Sequence, residues 1–165
     1  MASAQVELKD QLQNGTTATL NNHTVATMQL IRSHTWSGNF TSLPKTITSH
    51  GGVARIDHLK GSQGSKAGVS YSITSAAGAP YSVILAWNAP TNFNPTTSPN
   101  RLFGICGPKA TIDALSWDNI GQQLDRAGSS VVINDEASKI SVHSTIITNP
   151  KTNMANVPTN FLLMP

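Results

Sequence analysis

Cysteine is almost missing from this chain: there is one, Cys106, in 165 residues. A lone thiol makes no intrachain disulfide, which fits a reducing compartment, so a cytoplasmic location is expected. Sitting in an apolar run, Cys106 reads as a small buried hydrophobe and not as a reactive thiol. Charge is scarce too, at 12% of residues, and eleven Lys and Arg stand against eight Asp and Glu for a net charge of +3. The basic residues are scattered and never run together. The clustered footprint of a nucleic-acid binder is therefore lacking, and no nucleic-acid partner is expected. Disorder needs high net charge with little hydrophobicity, and this chain has no such charge. No apolar run approaches the ~18 residues of a membrane-crossing helix, so no transmembrane segment is expected. The opening MASAQVELKDQ also lacks the apolar stretch of a secretory signal.

Catalytic constellations are missing as well. No G-x-S-x-G elbow and no H-E-x-x-H spacing occur. Gly61-x-x-Gly64 is followed by Ser65-Lys66, the reverse of a P-loop order, and opens no helix. His23, His34, His50, His58 and His143 have no cysteine partners at ligand spacing and read as surface or half-buried residues. Asp135 and Glu136 are adjacent, which does not make a matched acid and base pair. The sequence predicts no catalytic residue, no metal, no cofactor and no enzyme.

What is present is Ser, Thr, Asn, Gly and Ala, with many short β-branched runs between turn residues. That pattern predicts an all-β fold, an antiparallel β-sandwich with one short helix. Candidate strands are Thr16 to Leu20, Thr24 to Trp36, Val53 to Leu59, Val69 to Thr74, Ser82 to Trp87, Leu102 to Cys106, Val131 to Ile133 and Lys139 to Thr148. In VARIDHL, Val53, Arg55, Asp57 and Leu59 share one side, and Ala54, Ile56 and His58 the other. Val69–Thr74 and Ser82–Trp87 make the best antiparallel pair. The helix spans about 116–127: Ser116 caps it, and Trp117, Ile120 and Leu124 fall on one face. Residues 3–13 fit either a short helix or a first strand. The expected organisation is a single β-sandwich domain over 1–150 and a C-terminal tail over 151–165. The tail's apolar end, Phe161 to Met164, is available to the core or to a partner.

Between two strands lies a long polar loop, 88–101, stiffened by Pro90, Pro95 and Pro99. Loops of this length inside a compact domain are often functional. Aromatics are only 5% of the chain, yet Phe93 stands in the middle of this loop and Trp87 just before it. Amides, hydroxyls, an aromatic face and Arg101 together suit a sugar, a lipid head group or another protein.

Several stretches resemble the 23 kDa jasmonate-induced proteins of plants. They are GGVARIDHLKG, KAGVSYSI, VILAWNAP, PNRLFGICGP and IDALSWDNIGQQLDRAG, covering roughly residues 10–150. The W-x-x-P of Trp87–Pro90 and the S-W-D-x-I-x-x-x-L of Ser116–Leu124 are the most specific. The resemblance implies a non-enzymatic protein of hormone-induced stress or defence, with no catalytic residues. A more distant likeness is to the actinoporin and aegerolysin β-sandwiches, through Pro44-Lys-Thr-Ile47, Gly68-Val69 and Trp87-Asn-Ala-Pro90. It implies head-group recognition at loops containing Val69 and Pro90, with Asn88 where a serine is expected. The aromatic cluster there is thinned to Phe93, helped by Trp117. The expected ligand-binding set is thus Val69, Trp87, Asn88, Pro90, Asn92, Phe93, Arg101 and Trp117, facing a membrane lipid head group or a carbohydrate. The alternative expectation is a protein-interaction module, with a homo-oligomer as partner.

Overall fold

A computed structural model describes residues 15–165. The segment 3–13 lies outside the described residues. Among the described residues twelve strands and two helices follow in order: β1 (Thr16–Asn22), β2 (Met28–Ser37), β3 (Asn39–Ser42), β4 (Thr46–Ile47), β5 (Gly52–Leu59), β6 (Ser65–Thr74), β7 (Pro80–Ala89) and β8 (Arg101–Pro108). Then come α1 (Lys109–Asp113), α2 (Trp117–Leu124), β9 (Ser130–Asp135), β10 (Ile140–Thr145), β11 (Ile147–Thr148) and β12 (Ala155–Leu163).

The strands form two stacked sheets, as the short alternating runs predict. One has the order β3-β5-β1-β12-β10-β9, with β11 pairing β12; the other is β4-β2-β6-β7-β8. Alternation sends one row of each strand inward. Ala54, Ile56 and His58 of β5 are buried while Val53 and Arg55 stay exposed. The anticipated pair, β6 with β7, is antiparallel, with Val69 opposite Leu85 and Tyr71 opposite Val83. These four join Leu20, Ile56, Trp87, Val142 and Phe161 in the core between the sheets. Each such side chain contributes about 1.5–3 kcal/mol through burial.

Both helices cover the outer face of the smaller sheet, where Ile112, Ile120 and Leu124 pack on Ile84 and Ala86. Ser116 caps α2 as expected, its side chain accepting from the Asn119 N–H. The single predicted helix has a companion, however. Pro108 leads directly into α1, a five-residue turn over a stretch with too few periodic positions to signal a helix. Gly121 is buried at the Trp36 ring, where an added Cβ would lie 3.2 Å away. Its cost in helix propensity, about 1 kcal/mol against Ala, is offset by that close approach.

Three expectations need correction. The sandwich is not wholly antiparallel: β12 runs parallel to β1, from Thr16↔Ala155 to Asn22↔Phe161. The predicted tail is not a tail. Most of 151–165 is β12, seated between β1 and β10, and Phe161 is 1% exposed within the core, so it is not free for a partner. Prolines made this segment read as non-strand, since proline donates no ladder hydrogen bond. Pro158 is accommodated because its neighbouring ladder is broken there: β10 pairing ends at Ser144↔Thr159, and β11 pairing resumes at Ile147↔Asn156. The run Lys139–Thr148 is accordingly two strands, with a bend at Ile146. Lastly, His58 is not at the surface. It is buried, because its inward position in β5 places it beside Phe40 and Trp87.

Candidate functional site

The connection between β7 and β8 reaches one end of the sandwich and folds onto itself. Asn94 and Ser98 exchange two backbone hydrogen bonds of 3.0 Å. The Asn94 side-chain oxygen accepts from the Thr96 and Thr97 N–H groups at 2.9 and 3.1 Å. An asparagine side chain copying a backbone turn in this way fixes a loop that no strand pairing supports. Phe93 precedes that turn and is held partly in solvent, 37% exposed.

Phe93 is a wall between two depressions. On one side lies a cleft of about 430 Å³. Phe93, Pro95 and Pro99 line it from the loop, and Ile146 and Ile147 face them from the bend between β10 and β11. Arg101 and Asn100 bring polar groups to this apolar lining. On the other side is a polar hollow of about 500 Å³, bounded by Asn92, Asn94, Thr97 and Ser98.

Three distant segments are stitched together at the cleft. Arg101 Nη1 donates to the Ala127 carbonyl at 2.7 Å, and the Leu102 N–H donates to Gly128 O at 2.8 Å. The Ile146 N–H donates to Ser129 O at 3.0 Å. Asn100 Nδ2 donates to Thr148 Oγ1 at 2.6 Å. A guanidinium has five N–H donors, and Arg101 has no carboxylate partner among the described residues. A half-buried cation without a counter-charge, set among apolar side chains, is complementary to an anionic group carried on an apolar body.

The residues expected at the site do not all meet there. Phe93 and Arg101 line the cleft, and Asn92 and Phe93 the hollow. Asn88 lies across from Arg101 in the β7–β8 ladder, half-buried, and Pro90 opens the loop after β7. Val69 and Trp87 belong elsewhere: both are core residues, at 1% and 0% exposure. Their alternation in β6 and β7 points them between the sheets.

Trp117 belongs on the opposite face of the smaller sheet. It stacks on His34 at 5.5 Å, meets Trp36 edge-on at 5.9 Å, and carries Arg32 over its ring at 4.9 Å. Gly68 makes room for it, since an added Cβ would come within 2.7 Å of the ring. Asn100 lies in the expected loop but outside the expected binding set, and Ile146 and Ile147 were missed by sequence reasoning. No local signal marks the two isoleucines, because the chain is folded back over more than forty residues to bring them to the loop.

Trp87 Nε1 instead donates to Ser65 Oγ at 3.3 Å. His58 Nδ1 lies 2.8 Å from the same Ser65 Oγ. His58 Nε2 lies 3.3 Å from Thr35 Oγ1, so a neutral imidazole has a hydroxyl partner at each ring nitrogen. Burial favours this neutral imidazole and lowers the His58 pKa from 6.5 to about 4. Burial, with the Asp135 charge adding to it, pushes the Cys106 thiol up to about 12, which keeps it a poor nucleophile at neutral pH. Among the described residues, no group of three or more His, Cys, Asp and Glu could hold a metal ion. No described helix is long and apolar enough to cross a membrane.

No family model matches the chain. A jasmonate-induced protein homolog from Atriplex canescens is 37% identical over 117 residues, which are 70% of this chain and 63% of that protein. The chain is thus similar to the jasmonate-induced proteins that its motifs resemble, and it spans less than two thirds of that relative. Among solved structures, the lipid-binding protein Nakanori superposes with a TM-score of 0.70 at 15% identity, over 97% of this chain and 77% of that one. The Xerocomus chrysenteron lectin XCL superposes with a TM-score of 0.54 at 9% identity, over 90% of this chain and 99% of the lectin. At such identities both likenesses concern the fold.

Proposed function

We propose that this chain is a non-enzymatic plant stress or defence protein that recognises a membrane lipid head group at the cleft beside Phe93. The observation that carries the reading is Arg101, a cation without a carboxylate partner among the described residues, set in a largely apolar cleft of about 430 Å³. A head-group phosphate complements the guanidinium, and the adjoining glycerol and acyl carbons complement Phe93, Ile147 and the prolines. Likeness to a lipid-binding protein over nearly the whole chain supports the same reading. The single cysteine supports a reducing, cytoplasmic setting.

A second reading has its own observation. The hollow on the other side of Phe93 offers amides and hydroxyls against an aromatic face, which suits a sugar, and a lectin shares the fold. Flotation with liposomes of varied head group, with and without glycolipid and at two salt concentrations, separates the two. The lipid reading expects binding that follows the head group. Binding that needs the glycolipid and yields to free sugar selects the glycan. In either case Phe93→Ala weakens binding by about 1–3 kcal/mol. An unchanged affinity removes this loop from the site.

A further inference from the structure

Asn100 is 5% exposed and lines the cleft, yet only half of its amide is satisfied. Nδ2 is spent on Thr148 Oγ1, a second lining residue, while Oδ1 is buried without a hydrogen-bond partner. Native proteins leave few buried polar atoms in that condition, because the lost hydration is not recovered. Among the described residues three other buried side-chain atoms share it: Thr16 Oγ1, Arg32 Nε and Ser70 Oγ. None of these belongs to a residue of the cleft. Asn100 is also next in sequence to Arg101, so an unpaired acceptor and a cation with donors to spare adjoin in one cleft.

We infer that the cleft takes a phosphoryl group carrying a hydrogen-bond donor, a hydroxyl or a primary ammonium, a few bonds away. Arg101 receives the phosphoryl oxygens, and Asn100 Oδ1 accepts from the donor. This rests on the lipid reading above and sharpens it. A head group whose nitrogen is fully methylated carries no N–H and leaves Oδ1 unpaired. Ethanolamine, glycerol and inositol head groups carry the donor.

Phosphatidylethanolamine and phosphatidylcholine make the cleanest comparison, because both are zwitterionic and the donor is what separates them chemically. In flotation at fixed salt, the full chain is expected to bind vesicles rich in phosphatidylethanolamine about tenfold more tightly than phosphatidylcholine vesicles, the worth of one buried acceptor being satisfied. Asn100→Leu is expected to bring that ratio to about one. Its melting temperature serves as the check on folding. A purely structural role for Asn100 would lower the melting temperature and leave the ratio untouched, which overturns the inference. Equal binding of wild type to the two lipids, or preference for choline, also overturns it while leaving the lipid reading standing. Binding to neither vesicle, nor to vesicles containing phosphatidylglycerol or phosphatidylinositol, defeats the lipid reading. In that case soluble glycerophosphoethanolamine decides: saturable binding that Asn100→Leu loses keeps the recognised chemistry with a soluble source, and no binding ends the inference too.

Discussion

Acid should unfold this protein earlier than its few carboxylates require, and His58 is the reason. In the fold its imidazole is neutral, buried against Phe40 and Trp87, and its pKa is lowered from 6.5 to about 4. The unfolded chain therefore binds the proton between those values and the folded one does not. Stability is fully present above pH 6.5 and is lost as pH falls toward the folded value. The slope is about 1.4 kcal/mol per pH unit, so the loss is about 2 kcal/mol near pH 5 and about 3 kcal/mol once both states are protonated. For a single domain this is a large share of the total.

Urea unfolding across this range, read by tryptophan fluorescence, measures the loss. His58→Gln removes the titrating group and sets the reference. The variant is less stable at neutral pH, but its stability should be nearly flat where wild type falls. Asp113 does not confuse the comparison, because it is common to both proteins. Burial pushes its carboxyl up, but hydrogen bonds from Lys109 and Ser82 and the charges of Lys109 and Arg32 more than offset this and hold it below its ordinary value of 3.8. Its contribution is present above that value and lost below it. Parallel curves for wild type and His58→Gln between pH 6.5 and 4 would refute the argument.

Other outcomes follow from particular contacts. Gly68→Val should destabilise by about 1–3 kcal/mol, since even a Cβ meets the Trp117 ring, and Trp117→Ala in the same chain should relieve part of the clash; a double-mutant cycle in urea measures the coupling. Removing residues 155–165 should abolish cooperative unfolding, because it withdraws a strand between β1 and β10; a well-folded truncated protein by calorimetry would contradict the sheet order. Cys106 should react with iodoacetamide at neutral pH far more slowly than after unfolding in urea, its pKa being held at about 12 by burial and Asp135.

Local pattern determined much of this protein. Period-two alternation in Val53–Leu59 and Val69–Thr74 set which side chains face the core, and the Ser116 cap with its apolar face set α2, because these depend on neighbours a few residues away. The Phe93 loop was legible for the same reason: three prolines close together disfavour helix and strand alike. Tertiary structure alone decided the rest. Pro158 reads as a breaker until the gap between β10 and β11 is seen beside it. Trp87 and Trp117 are both aromatics near the loop or its motifs, yet one faces between the sheets and the other, the first residue of α2, packs on the outer face of the smaller sheet. Asn100 gains meaning only from Thr148, which shares its hydrogen bond across forty-eight positions of sequence. A pairing at that separation is set by how the sheets stack, so no local run of residues could encode it.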